Sequence, residues 1–361
     1  MNFGIFLLMQ SPSARPSSEV YPRALEIGRL AERLDFETIW LAEHHFTNYS
    51  HCSQPFVFLS NLAAVTRRIR LGTAIVPMPL HNPLFVAEQA ATVDVLSEGR
   101  LELGFGKGYQ QYQFDRLNIE KNTDPAAFRE SVDLTVTALR GDAFTFAGDT
   151  IAVPEMLLYP QPVQRPPPVW LVVNSKDEAA VAAAVSRGFN LFTGVLEPIS
   201  RLTNVRKQVE AVAPEGTAGR RVRIGTQRPV FVTESDDEAL EIVEEARWNG
   251  RVSLGMRHDI ARIEKGVAIV NSFLLEPSAE TILEDHIIAG TPDRCVHQIS
   301  RIRDGLGACT FNCSFWFGNM DQDKVLGSME LFARKVMPAF ASASSDALSR
   351  ETRRRPAELY Q

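Results

Sequence analysis

The feature that most limits what this chain can fold into is an alternation. Short, almost uninterrupted apolar runs alternate with longer stretches whose apolar residues recur at helical spacing. The second run, Thr38-Ile39-Trp40-Leu41-Ala42, has no polar residue after its first. A half-exposed strand alternates polar and apolar side chains, whereas a parallel strand buried on both faces reads as a continuous apolar run. The stretch before it, 21–34, carries Leu25, Ile27, Leu30 and Leu34 at helical spacing. The pattern predicts strands at 1–8, 38–42, 69–76, 100–105, 169–173, 190–193, 222–232 and 308–315. Eight strands with helices between them predict an α/β fold, a parallel sheet closed into a (β/α)8 barrel. An open, doubly wound sheet has the same periodicity and stands as the alternative.

A usual barrel needs about 250 residues, and this chain has 361. The surplus falls after the fourth and seventh strands and at the end. Residues 107–124 read as a polar, aromatic loop. Residues 144–151 read as a small hairpin turning on Gly148-Asp149, followed by an extended, proline-rich stretch from Pro154 to Pro168. Residues 235–270 read as mostly helical, and 248–285 as an inserted excursion. The barrel is therefore expected as one domain over 1–340. Residues 341–361, rich in Ser, Ala and Arg, are expected to be a loose tail in which Arg353-Arg354-Arg355 is a solvated charge cluster.

Composition excludes several classes. The 38 Lys+Arg and 44 Asp+Glu leave a net charge of −6, which argues against a nucleic-acid or anionic-membrane partner. Four cysteines cannot form a dense disulfide framework, and none stand at the paired spacing of a structural zinc site. A reduced, cytoplasmic protein is expected. The first residues lack the leading positive charge of a secretion signal. The longest uncharged stretch, 71–87, holds three prolines and a histidine and makes a poor membrane helix.

In a barrel, chemistry sits at the carboxyl ends of the strands. That rule selects Glu43-His44-His45-Phe46, then Val76-Pro77-Met78-Pro79, then Gly104-Phe105-Gly106-Lys107-Gly108-Tyr109, then Asn174-Ser175-Lys176. The three glycines permit close backbone approach but match neither a dinucleotide fingerprint nor a Walker loop. Asn174 and Ser175 precede a helix whose N-terminus is able to hold a phosphate; a plain serine cap is the competing reading. His44 and His45 are adjacent, so an extended backbone sends them to opposite sides. That disfavours a shared metal and favours an acid–base role for one of them; no metal site is expected.

These blocks, with Arg70-Leu71-Gly72-Thr73-Ala74, Leu80-His81-Asn82-Pro83, Gly290-Thr291-Pro292 and the closing Val336-Met337-Pro338, resemble the bacterial luciferase-like flavin monooxygenases over about residues 1–340. The resemblance implies a TIM barrel, usually dimeric, that binds reduced FMN at its carboxyl face. It makes His44 the catalytic residue. It places the cofactor against Ala74, Ile75, Lys107, Gly108, Tyr109, Val173, Asn174 and Ser175. Lys107 stands where the family often has arginine as a phosphate contact, and Asn174 replaces an acidic residue. Ala74-Ile75 falls where the family has a cis peptide beneath the flavin ring. The implied chemistry adds oxygen to reduced flavin and passes one atom, through a peroxide adduct, to a small apolar organic substrate. Water must be kept out, because stray proton transfer releases hydrogen peroxide. Phe6, Trp40, Phe46, Met78, Phe105 and Trp316 are candidate walls. With no nicotinamide fingerprint in the chain, reduced flavin is expected from a separate reductase. A deazaflavin-dependent oxidoreductase and a non-catalytic flavin-binding protein are the alternatives.

Overall fold

The computed structural model describes residues 1–121, 124–174, 176–194, 199–212, 222–307 and 309–341. Eight parallel strands close on themselves: β1 (Asn2–Leu7), β2 (Thr38–Leu41), β3 (Arg70–Thr73), β4 (Leu101–Gly106), β5 (Val169–Val172), β6 (Asn190–Phe192), β7 (Ile224–Val232) and β8 (Thr310–Ser314). Closure is made where β1 pairs with β8, Asn2 opposite Thr310, and where β7 pairs with both β6 and β8. The barrel, not the open sheet, is the observed topology. The expected tail, from 342 onward, lies outside the described residues.

The continuous apolar runs follow from the two faces of each strand. In β1, Phe3, Ile5 and Leu7 pack outward against the helices, while Phe6 belongs to a separate cluster inside the barrel. In β2, Ile39 and Leu41 face out and Trp40 faces in. Trp40, Trp170 and Phe192 fill the lumen, with ring centroids 4.6–5.2 Å apart. Glycines make room for them: a Cβ on Gly225 would lie 2.7 Å from the Phe192 ring, and one on Gly72 would fall within the Trp40 indole. The lumen is thus a packed core that supports whatever sits above it.

Toward the amino ends of the strands, Glu102 is fully buried. It accepts from Trp170 Nε1 at 2.5 Å, Arg70 Nε at 2.5 Å and Arg223 Nη2 at 2.7 Å. Three donors, two of them cationic, replace the water this carboxylate gave up.

The structure departs from the sequence reading in four places. Within 107–124 lies a short helix, Gln111–Leu117, ended by Asn118 in the left-handed region (φ 53°). Within 235–270 the helices Asp236–Glu241 and Val243–Arg257 give way to a hairpin, Arg262–Glu264 with Val267–Ile269, turning on Lys265 and Gly266 with φ of 48° and 83°. Two positive φ values suit the right-handed twist of a two-residue hairpin. The third strand is shorter than 69–76. It stops at Thr73, and a two-residue bridge at Val76–Pro77 resumes pairing with β4. The hairpin expected near 144–151 is present as Phe144–Ala147 with Ala152–Met156, so Pro154 lies in a strand rather than in the extended stretch after it.

Candidate active site

A cavity of about 790 Å³ opens at the carboxyl ends of the strands. His44, Ala74, Ile75, Lys107, Gly108, Tyr109, Val173 and Asn174 all line it. Eight of the nine residues singled out from the sequence are therefore in one place; the ninth, Ser175, lies outside the described residues. Of the six expected walls, only Phe6 lines the cavity, joined by Leu8 and Ala42. Trp40 lies beneath it in the lumen, Met78, Phe105 and Trp316 pack outward in the main core, and Phe46 faces a smaller second cavity. Strand parity explains Phe105, which points to the helices although it is near the rim; Trp40 faces inward but too deep, and Phe46, Met78 and Trp316 lie beyond the ends of their strands.

The glycines at the end of β4 are packed against the chain itself. A Cβ on Gly106 would lie 2.7 Å from Ile75 Cδ1, and one on Gly104 would strike the Thr73 carbonyl. The segment after the third strand approaches this backbone closely, while Gly106 and Gly108 also line the cavity. The Ala74–Ile75 peptide is cis, as the resemblance implied. Thr73 braces it from below by exchanging two hydrogen bonds with Gly104, at 2.9 and 3.1 Å.

The two histidines part as an extended backbone requires. His45 turns away from the cavity, and its Nε2 lies 2.9 Å from Glu43 Oε1. His81 Nε2 reaches the same oxygen at 2.5 Å. Burial pushes the Glu43 carboxyl up, but hydrogen bonds from His45 and then His81 outweigh it and hold it below the usual range. These three side chains bring ligand atoms within 4.8 Å of one another, a grouping that includes His81 and that the sequence reading did not anticipate.

His44 stands half-buried on the cavity wall, between Tyr49 (ring centroids 4.8 Å apart) and Tyr109 (5.7 Å). Loss of solvation, with the neighbouring His45 adding to it against Glu43, drives its pKa down to about 3. The imidazole is therefore neutral at physiological pH. Its Nδ1 faces Gln113 Nε2 at 3.1 Å.

Lys107 brings a cation to the cavity. Its Nζ sits 5.9 Å from the centre of the Phe128 ring, and it forms no ion pair with a carboxylate among the described residues. Arg129, on the helix Pro125–Ala138, lines the same cavity. The helix expected to offer a free N-terminus is Glu178–Ser186, and its cap is Asp177, whose carboxylate accepts from Ala180 N at 3.0 Å. Asn174 Oδ1 accepts from Lys176 N. The acidic cap makes this end a poorer anion site than the sequence suggested, because a carboxylate already holds one of its donors.

The cavity is also more polar than expected. Gln10, Gln227, Arg228 and Asn249 are buried in its lining. Gln10 Nε2 donates to Asn249 Oδ1 at 2.7 Å, and Tyr49 pairs with Ser253 at 3.1 Å. Asn249, Ser253 and Arg257 come from the helix Val243–Arg257, so the excursion roofs the site. The following hairpin is fastened to the loop after β2, where Asn48 Oδ1 accepts from Ala268 N and Asn48 N donates to Gly266 O, both at 2.8 Å.

Over residues 1–309 the sequence matches the profile of a family described as luciferase-like monooxygenase. The chain belongs to that family. Among the relatives of this family member is the oxygenase component of a flavin-dependent trigonelline monooxygenase from Acinetobacter baylyi, 25% identical, covering 96% of this chain and 97% of the relative. Two solved structures share its fold. The monooxygenase RslO1 from Streptomyces bottropensis aligns with a TM-score of 0.80 at 24% identity, covering 94% of this chain and 100% of that one. The oxygenating constituent of 3,6-diketocamphane monooxygenase from Pseudomonas putida, solved with FMN, aligns at 0.75 and 18% identity, covering 94% and 98%.

The sequence reading missed Gln113, Arg129, Asn249 and Ser253. All four sit on connecting helices, where no strand-end rule points. A helical stretch at 111–117 was detectable from the absence of Gly and Pro there.

Proposed function

We propose that this chain is the oxygenase component of a two-component flavin monooxygenase. Reduced FMN would lie in the carboxyl-face cavity with its ring against Ala74 and Ile75 and its phosphate toward Lys107 and Arg129. The observation that carries this reading is the composition of one cavity: an apolar floor of Phe6, Leu8, Ala42, Ala74 and Ile75, cationic side chains that include Lys107 and Arg129, and a neutral imidazole. A flat ring needs the first and an anionic tail the second. The oxygenase-component relative supports a separate reductase, and the FMN-bound neighbour supports a flavin in this fold. A homodimer belongs to the same reading.

When bound, reduced FMN supplies two electrons to molecular oxygen, of which one atom enters the substrate and the other leaves as water. The protein's part is to bind, orient and keep water out. Ala74 and Ile75 present a surface without donors. Asn249, Ser253 and Arg257, which line the cavity from one helix, would shield a bound ring from solvent. His44, neutral, offers a hydrogen bond rather than a free proton. The buried Gln227 and Arg228 suit a substrate whose small apolar body carries at least one polar group.

Oxygen uptake settles the matter. Purified protein with reduced FMN from a separate reductase is screened against aldehydes, cyclic ketones, phenols and pyridine carboxylates. Substrate-dependent uptake with product formation is expected. Binding of a reduced deazaflavin without oxygen uptake would replace this reading with hydride transfer. Tight FMN binding with no turnover on any substrate would leave a flavin-binding protein. With NADH and FMN but no reductase, NADH should disappear no faster than in the buffer blank.

A further inference from the structure

We propose that Gln113 is a positioning residue that decides which nitrogen of His44 carries its proton, an inference that rests on the reading of His44 as facing the reacting atoms. The Gln113 amide nitrogen lies 2.5 Å from Gln110 Oε1 and 3.1 Å from His44 Nδ1. An amide nitrogen has two hydrogens and accepts none. In this arrangement each hydrogen has one acceptor, and His44 Nδ1 presents its lone pair. A neutral imidazole with a bare Nδ1 carries its hydrogen on Nε2. That nitrogen makes no hydrogen bond to any described residue, and the ring lines the cavity. His44 is therefore set as a donor into the site.

The row of amides continues beyond Gln113. Gln110 and Gln113 are both buried, and the Gln110 nitrogen reaches Tyr109 Oη at 3.4 Å, which leaves its oxygen free to receive Gln113. Turning both amides over would reverse every bond in the row. Gln113 would then accept an Nδ1–H, and His44 would face the cavity with a lone pair, as a base. The same side chains thus allow opposite chemistry at one atom, and the structure assigns the donor arrangement. The titratable groups around His44 are Glu43 and His45 on its own segment and Tyr49 and Tyr109 against its ring.

The test reads the tautomer directly and needs no turnover. In protein labelled with 15N-histidine, the His44 signals are assigned by their loss in His44→Asn. At pH 7 the expected pattern is a protonated Nε2 and an unprotonated Nδ1. In Gln113→Glu the carboxylate has no hydrogen to donate, so the imidazole proton should move to Nδ1 and His44 should titrate at higher pH than in the parent. In Gln113→Met, which keeps the length but loses the donor and serves if the glutamate variant does not fold, turnover should fall about tenfold, the worth of one buried hydrogen bond. The KM for reduced FMN should change less than twofold. A protonated Nδ1 in the parent protein, or unchanged His44 signals in both variants, would overturn the assignment. A parent protein with the expected tautomer but no oxygenase activity on any substrate would leave the assignment standing and remove the proposed function.

Discussion

His44 shows how a single side chain is tuned by what surrounds it. Its folded pKa is held near 3 by desolvation, well below the ordinary 6.5. Below that ordinary value the unfolded chain takes up a proton that the folded protein refuses, so stability is lost as the pH falls from about 6.5 toward 3. Urea midpoints at pH 7 and pH 5 should therefore differ less in His44→Asn than in the parent protein. His44→Ala should leave the FMN dissociation constant within about twofold while most reduced flavin is diverted to hydrogen peroxide, because the site loses its hydrogen bond but not its cradle. Peroxide and product measured together check this; unchanged product per flavin would remove His44 from the chemistry. At Lys107 the expectation concerns binding. Lys107→Ala loses a charge-assisted contact to phosphate and should weaken FMN by roughly tenfold or more. Lys107→Arg, which keeps the charge and adds a second donor, should bind within about threefold of the parent.

Elements contribute by holding such residues in place, and here the sequence was legible unevenly. The eight strands were readable because burial on both faces leaves a run such as Thr38-Ile39-Trp40-Leu41 no room for polar residues. The helix Gln111–Leu117 and the hairpin at 262–269 were not readable by that signal. Each is short, and each is fixed by contacts to distant segments rather than by its own periodicity. The Lys265-Gly266 turn is a weaker hairpin signal than Asn-Gly, yet the fold needs positive φ at both positions. Asn48 is the clearest case of a distant contact. It reaches across more than two hundred positions to pin Ala268, and thereby the roof of the cavity. Asn48→Ala leaves the Ala268 amide without that acceptor, at a cost of about 1–3 kcal/mol felt locally. Amide hydrogen exchange over 262–269 should accelerate in this variant, and peroxide leakage during turnover should rise, while exchange in β1 and β2 stays as in the parent.

At the scale of the whole molecule the barrel divides its labour between its two ends, and the lumen of Trp40, Trp170 and Phe192 separates them. Residues of the upper end were found from the sequence partly by asking where strands stop, as for His44 and Lys107, and partly through the family resemblance, as for Ala74 and Ile75. Those brought by connecting helices, Gln113 and Arg129 among them, required the tertiary packing that places the helices. The lower end was hardly read at all, since one glutamate in a strand carries no periodic signal. Yet Glu102 joins β4 to β5 through Trp170 and draws in Arg70 of β3 and Arg223 beside β7. A buried carboxylate with these partners is expensive to remove, because truncation leaves two guanidinium groups and an indole N–H with fewer acceptors. Glu102→Ala should cost about 3 kcal/mol or more of unfolding free energy. The lower end lies on the far side of the aromatic plug from the cavity. Protein that remains folded should therefore bind FMN within about twofold of the parent and show the same ratio of product to peroxide. Thermal denaturation and flavin titration on the same preparation separate the two effects. A variant that keeps its melting temperature but loses flavin would show that the two ends are coupled through the lumen rather than insulated by it.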